Sequence, residues 1–470
     1  MPIAISRPYR WPLLAFACFA LANALVVLSL SLHSGGLRGS TVATSPGQAL
    51  RLADPISNDS WGPMATAAQR YREAPDGNLY RVFFDEAVKF QYPPTALLVL
   101  ELLPRSLIAG PESFDDDTPL NRLMTALSWL ALAATLIFSM LIFKHSVVRG
   151  NGDHAPRRFD TLALIAGAIL LGLTFYPLIR GHILGQIQIF LGALTALALF
   201  AYLTGRRGVA GACLGLCCLI KPQYAVVFIW ALVRRDWRFA AWFAGVGAFG
   251  LMLSLARFGF DNHLHYLDVL RYISWHGEAY WPNQSINGIL NRFLQNGEAI
   301  RFEHHAFAPH HPFVYYATLL SSAAVILLAL SRLGAAGRRS DAALDLAAVL
   351  VAAKIAAPVA WEHHYGAFIA IYALAVPAMM RIKPFGRATA PLLIASYVMT
   401  ASVVLRPQLL FANPWVGLAG SHIFYGALLL FIALLLARFG TSQERATSHT
   451  PAQISAMPAT RVSANDSPNA

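Results

Sequence analysis

The feature that most constrains this chain is a series of apolar runs set apart by short basic segments. The runs lie near residues 11–32, 120–143, 160–179, 186–204, 208–233, 238–256, 313–331, 342–357, 361–380, 388–405 and 418–437. In lipid every backbone N–H and C=O must be bonded within the protein, so runs of about 20 apolar residues cross as helices. Of the 470 residues, 56% are hydrophobic and only 13% charged; an ordinary soluble domain carries about a quarter charged residues. The chain therefore reads as an all-α, polytopic bundle in the membrane. Its net charge of +12 would point to nucleic acid in a soluble protein. Here the basic residues sit in short loops between apolar runs, as the positive-inside rule requires, and no nucleic-acid partner is expected.

Topology follows from those loops. They carry Lys144, Arg149, Arg157 and Arg158; Arg206-Arg207; Arg234, Arg235 and Arg238; Arg332, Arg338 and Arg339; Arg381, Lys383 and Arg387; and Arg438. All can be cytoplasmic if 93–108 lies along the surface and 208–233 crosses twice, turning at Lys221-Pro222. That gives about twelve crossings with both termini inside. A rival scheme lets 93–108 cross and keeps 208–233 as one helix. It avoids two very short crossings but puts several basic loops outside. The first run, behind Arg7 and Arg10, reads as a retained helix because no small-residue cleavage site follows closely. The four cysteines (Cys18, Cys213, Cys217, Cys218) all fall in apolar runs and read as packing residues. The tail 438–470, rich in Ser, Thr, Ala and Pro, reads as a disordered cytoplasmic segment.

On the side opposite the basic loops gather the conspicuous polar groups. Asp59 stands in the loop 57–94 and opens an amphipathic stretch, with Trp61, Met64, Ala65 and Ala68 on one face and Gln69, Arg70 and Arg72 off it. Arg180-Gly181-His182 leads to Gly185-Gln186. Lys221-Pro222-Gln223, Asn283-Gln284-Ser285 and Trp361-Glu362-His363-His364 complete the set. Each has a plain structural alternative. Asn58 or Asp59 can cap a helix, Lys221 can snorkel to the interface, and Asn283 to Asn287 can form a turn. Ionisable groups near a bilayer are expensive, however, and their convergence on one face points to a site. His304-His305, His310-His311 and Glu362-His363-His364 offer metal ligands, but adjacent histidines do not share a helix face. No HExxH pattern is present, and no metal site is expected.

Taken in order, these pieces resemble glycosyltransferase family 87. The matching residues are Asp59 with Ala67, Ala68 and Tyr80; Tyr92-Pro93-Pro94; Gly185-Gln186; Lys221-Pro222-Gln223; Asn283-Gln284-Ser285 with Arg292; and Pro358 with Trp361, His363 and His364. Pro63 and Gln188 depart from the family's usual residues. The resemblance implies a GT-C fold over 1–437, with juxtamembrane helices in a first extracytoplasmic loop spanning 33–119. It further implies a polyprenyl-phosphate sugar donor, mannose foremost, used at the cell (inner) membrane without metal or other cofactor.

For such a donor the expected chemistry is inversion at the anomeric carbon. Asp59 would act as the base on an acceptor hydroxyl, the acceptor being a lipid or glycan. Lys221, His182 and His363 or His364 would stabilise charge on the departing phosphate. Gln186, Gln223, Asn283 and Gln284 would read sugar hydroxyls. One carboxylate suffices for a single displacement, unlike the paired acids of a retaining glycosidase. A flippase or transporter of lipid-linked glycans, and a lipid-oligosaccharide ligase, stand as the competing readings. The first would place its charges near the midplane and show repeated halves.

Overall fold

Helices account for 79% of the residues described, which are 57–73, 77–108, 118–151, 158–302, 307–331, 339–379, 386–403 and 411–448 in a computed structural model. The apolar run 11–32, Cys18, Asp115-Asp116-Asp117, His304-His305 and the tail from 449 lie outside them. No strand occurs among the described residues; the one isolated β-bridge joins Asn283 and Trp361.

The helices of a turn and a half or more are α1 (Trp61–Glu73), α2 (Pro119–Asn151), α3 (Arg158–Thr174), α4 (Tyr176–Ile183), α5 (Gln188–Leu203), α6 (Arg207–Ile220), α7 (Ala225–Val233) and α8 (Trp237–His276). They are followed by α9 (Ile286–Phe293), α10 (Pro312–Ser331), α11 (Arg339–Ile355), α12 (Phe368–Met379), α13 (Gly386–Ala401) and α14 (His422–Ser448). Four stretches, Pro119–Val147, Trp237–His276, Pro312–Ser331 and Pro414–Ala437, are long and apolar enough to cross a bilayer. The pair α3–α4, bent by 65°, makes a fifth, and α5, α6, α7, α12 and the second part of α13 are shorter apolar helices. Their outer faces suit lipid: α10 exposes Phe313, Tyr316, Leu319, Leu320, Leu327 and Leu328. A water-soluble surface seldom carries so long an apolar stripe. The protein is thus a membrane helix bundle.

Breaks in these helices have local causes. Pro177, in the first turn of α4, has no N–H to continue the α3 ladder, which fits the bend at Phe175 (φ −85°, ψ 92°) between α3 and α4. Pro222 disfavours helical backbone in the residue before it, Lys221, whose extended backbone (φ −134°, ψ 98°) separates α6 from a 3-10 turn, Pro222–Tyr224, and α7. The run 208–233 is therefore two helices, divided where the sequence placed the turn. Within α8, Gly259 adopts φ 75° and ψ 164°, a region open essentially to glycine alone. The first part of α8 matches the crossing read at 238–256; the second part turns away to cover the segment 57–108. That segment holds α1 and short helical pieces at Pro94–Leu97, Leu98–Glu101 and Arg105–Ile108, each too short to cross.

Two main cores result, beside a small cluster of Phe143, Val147 and Leu164. The larger joins α2, α4 to α8 and α10 to α14; α6 meets α8 so closely that a Cβ on Gly211 would lie 2.2 Å from the Phe239 carbonyl oxygen. The smaller packs Trp61, Met64, Ala68, Tyr80, Phe90 and Leu97 against Phe258, Tyr266, Val269 and Ile273 of α8. α1 buries the face expected of it, with Arg70 left exposed. Full burial of each such large apolar side chain contributes about 1.5–3 kcal/mol. Polar ties fix the register: Asn262 accepts from Leu79 N–H at 2.7 Å, and Glu101 receives Arg72 at 3.1 Å and Arg257 at 2.9 Å. Charges of opposite sign also meet at the other end of α6 and α7, where Arg234 pairs with buried Asp345 at 2.6 Å. Lys221 and Arg234 thus stand at opposite ends of α7.

Candidate active site

A cleft of about 430 Å³ opens where α1, α4, α6 and the second part of α8 meet the loop after α11. Its polar lining is assembled from helix ends. α4 stops in a left-handed turn: Gly185 N–H donates to His182 O and Gln186 N–H to Gly181 O, both at 3.0 Å. Gly185 carries the φ of +60° that such a cap requires. The turn lies along the segment entering α1, because Ser57 and Asp59 N–H donate to Ile183 and Leu184 carbonyls at 3.1 Å. Gln186 is then engaged at both ends of its amide. Its Nε2 donates to the Asp59 carboxylate and its Oε1 accepts from Ser60 Oγ at 2.9 Å. Ser60 Oγ in turn accepts from Ile187 N–H at 3.0 Å and sits 2.9 Å from the Tyr92 hydroxyl. Asp59 itself is exposed to the cleft.

The cationic part comes from two other connections. Lys221 Nζ lies 2.8 Å from His364 Nε2. The His363 and His364 rings meet edge to face at 4.8 Å, and Trp361 lies nearly parallel to His363 with centroids 6.3 Å apart. These residues sit in and beside a 3-10 turn, Glu362–Tyr365, that is clamped from outside the cleft. Asn283 Oδ1 accepts from Ala360 N–H at 2.9 Å while its Nδ2 donates to Glu278 O at 2.8 Å. Gln284 N–H donates to Ala360 O, and Glu362 N–H to Pro282 O, at 2.8 and 2.9 Å. Ser285 caps α9 and donates to Pro358 O at 2.7 Å. Arg292, buried, donates to the carbonyls of Ala279, Tyr280 and Asn283 and to Ser421 Oγ.

Electrostatics distinguish two lysines on the lining. Lys89 pairs with buried Glu278 at 3.2 Å and lies over the rings of Phe302 and Phe307. Lys221 makes no ion pair among the described residues. Its amine is held well below the usual lysine range by burial and next by the charge of Lys354, so an anion entering the cleft would favour its charged form. Burial, and next the charge of Lys221, hold the His363 and His364 imidazoles well below the usual histidine range. Both are neutral near pH 7, so each offers one N–H. Among the described residues Nδ1 of each ring lacks a hydrogen-bond partner. Burial raises the Glu362 carboxyl against the opposing charge of Arg180, with which it pairs at 3.1 Å.

Of the residues singled out in the sequence, Asp59, Gln186, Lys221, Gln223, His363 and His364 line this one cleft. His182, Asn283 and Gln284 stand apart from it. His182 is buried, bonded through Nδ1 to Ser128 Oγ at 2.8 Å and packed edge-on against Trp129. Asn283 and Gln284 are wholly buried; the Asn283 amide is spent on backbone, and Gln284 Nε2 reaches Trp281 O and Gly420 O at 3.0 Å while its Oε1 has no partner among the described residues. They position the histidine turn from behind. Three contributors were missed. Lys89 and Phe302 carry no motif. Lys354, in the last turn of α11, is 3% exposed with its ammonium 4.5 Å over the Tyr224 ring; a lone lysine in the run 342–357 was the available signal. Among the described residues no group of three or more His, Cys, Asp or Glu could hold a metal ion.

Comparison with known families closes the description. The model of glycosyltransferase family 87 matches residues 90–360, more than half of the chain. The match takes in Gln186, Lys221 and the clamp at 283–285, and stops short of Asp59 and the histidine pair on either side. No curated protein matches the chain.

Proposed function

The chain belongs to glycosyltransferase family 87, and from that premise we propose that it moves a hexose, with mannose first in order, from a polyprenyl-phosphate donor to a hydroxyl of a lipid or glycan acceptor. Transfer would take place on the extracytoplasmic side of the cell membrane. The observation that carries the proposal is one cleft that holds an exposed carboxylate, Asp59, together with a buried lysine, Lys221, that pairs with no carboxylate of the described protein and that an entering anion would favour in its charged form.

In the proposed reaction the acceptor oxygen attacks the anomeric carbon from the face opposite the phosphate. The C1–O bond to phosphate breaks and its electron pair leaves on the lipid phosphate. Asp59 takes the hydroxyl proton as the new C1–O bond forms, and later yields it to water. Base catalysis of this kind contributes about 10²–10⁴-fold. Lys221 and the N–H groups of neutral His363 and His364 would meet the charge that grows on the phosphate. Gln186 holds the Asp59 carboxylate in place, so its role is orientation, and Gln223 and Gln91 are the amides on the lining available to a sugar. Buried Asn283 and Gln284 act through the turn they clamp.

The test is a panel of radiolabelled donors offered to membranes containing the protein: polyprenyl-phosphate hexoses, polyprenyl-diphosphate hexoses and nucleotide hexoses. Label should pass to a lipid or glycan product from a polyprenyl-phosphate hexose and be lost with Lys221→Ala. Transfer from a nucleotide sugar alone would overturn the proposal.

A further inference from the structure

One charged group of the larger core is used by no step of the proposed reaction. Lys354, in the last turn of α11, is 3% exposed. Among the described residues its Nζ has neither a hydrogen-bond partner nor a carboxylate in ion-pair range. Asp345, earlier on the same helix, is treated differently: Arg234 pairs with it at 2.6 Å and Trp230 Nε1 donates to it at 3.1 Å. A charge kept for structure is answered in this way, and Lys354 is not. A helix C-terminus favours a cation, but that gain is small beside the desolvation of an unpaired ammonium.

Lys354 lies directly behind the cleft. Its ammonium sits 4.5 Å over the Tyr224 ring, and Tyr224 N–H donates to Lys221 O at 3.1 Å. Lys354 O accepts from Ala357 N–H at 3.2 Å, and Ala357 lines the cleft, as Lys221 does. Lys354 itself is not on that lining. Besides Tyr224, the ionisable groups within reach of its charge are Lys221, His363, His364 and Cys217, and no carboxylate stands among them.

Counting charge on the phosphate gives this arrangement a use. The donor proposed above is a phosphodiester with one negative charge. When the C1–O bond breaks, its electron pair stays on the phosphate oxygen. The lipid phosphate is then a monoester, which carries about −1.5 to −2 at pH 7. An arriving donor brings Lys221 to its charged form, which answers the first charge. We propose that Lys354 answers the second: a cation held off the cleft, behind Lys221, so that the two lysines together match the departing lipid phosphate better than the intact donor. Lys354 touches no substrate. It is a positioning residue, acting across the Pro222–Tyr224 turn on the phosphate that Lys221 holds. In the empty cleft the like charges oppose each other, and each negative charge that appears on the phosphate relieves that opposition. An interaction that strengthens as the reaction proceeds raises kcat and leaves the donor KM in place. The inference rests on the donor reading above, and the experiment separates the two.

Full-length purified protein is measured in two ways: equilibrium binding of radiolabelled polyprenyl phosphate and of polyprenyl-phosphate mannose, and transfer kinetics with polyprenyl-phosphate hexoses. Lys354→Met keeps the length of the side chain and removes its charge. It should weaken binding of polyprenyl phosphate by about tenfold relative to polyprenyl-phosphate mannose, a modest Coulombic effect across one turn of chain. kcat should fall by the same factor and the donor KM should not rise. Tm should hold or increase, because an unpaired buried charge is gone. Lys354→Arg should keep most of the discrimination and of the rate, and Lys354→Gln is read in the same way should Lys354→Met fail to fold. An unchanged ratio of the two affinities, or a fall in kcat that comes with a lower Tm and an equal loss of both lipids, would overturn the role of Lys354. Binding of polyprenyl phosphate that depends on Lys354, without transfer from polyprenyl-phosphate hexoses, would overturn the donor reading and leave the second cation standing. A wild type that binds neither lipid would overturn both.

Discussion

Lys221 Nζ and His364 Nε2 lie 2.8 Å apart, with no carboxylate of the described protein beside them. Burial holds the Lys221 amine well below the usual lysine range; an anion beside it would favour the ammonium, which has only donors, so Nε2 would then accept and the His364 proton would reside on Nδ1. In that state the pair would direct an N–H and a positive charge at the anion. Removing one such donor from a developing charge costs about 10²-fold in turnover. Lys221→Ala should lose that much with polyprenyl-phosphate donor, and Lys221→Arg should retain part. Kinetics of the two variants check this; unchanged turnover in Lys221→Ala would reduce the residue to an interfacial anchor.

Acid should weaken the fold through the same turn. The His363 and His364 values in the folded protein lie below those of the unfolded chain, which are near 6.5. Between the two values the unfolded chain binds more protons, so this contribution is complete above about pH 6.5 and is lost as pH falls through the folded values. Glu362, held high by burial, contributes with the opposite sign, so only a comparison isolates the histidines. The Tm of the wild type should drop more between pH 7.5 and 5.5 than that of the His363→Gln/His364→Gln double variant. Equal drops would contradict the assignment.

Asn283 distinguishes clamping from sugar reading. Its side chain bonds Ala360 N–H and Glu278 O, so Asn283→Ala strands a buried backbone group at a cost of about 1–3 kcal/mol. Tm should fall and turnover with it, while the relative use of different hexoses stays the same. A changed sugar preference at unchanged Tm would restore the sequence-based role.

The break in α8 is a backbone effect. No atom lies within 4 Å of a Cβ built on Gly259, yet its φ and ψ suit only glycine. Gly259→Ala should therefore cost about 1–3 kcal/mol without any steric clash. Thermal unfolding measures it, and a neutral effect would mean that α8 tolerates a straighter path.

Sidedness is tested by cysteine labelling from outside the cell. Asn283 is wholly buried and unsuited to labelling; Glu298, between Asn283 and the cleft residue Phe302, is exposed, as is Arg238 at the start of α8. Cysteine at 298 should react and cysteine at 238 should not. Reaction of both would overturn the topology.

Legibility in the sequence followed cost. Asp59, Gln186, Lys221 and the histidine pair stood out because polar groups at the ends of apolar runs are expensive, and the cleft unites them. His182, Asn283 and Gln284 stood out for the same reason, but composition cannot tell a group that faces a ligand from one that faces a carbonyl. Lys354 went unnoticed because the run around it was long enough to read as a crossing. Pro222 marked its break plainly. Pro177 did not, since the run 160–179 stays apolar straight through the bend. The run 93–108, read as lying along the surface, holds three short helical pieces interrupted near Pro104, whose ring admits no continuous helix.

The central claim is that Asp59 is the base, and one substitution tests it most directly. Asp59→Asn keeps the shape and an oxygen that can accept from Gln186 Nε2, but removes the site that takes a proton. Purified Asp59→Asn protein should bind the polyprenyl-phosphate donor as the wild type does and transfer its sugar about 10²–10⁴-fold more slowly. Transfer at a near-normal rate would contradict the account, because an amide at 59 could serve a helix cap and never a base.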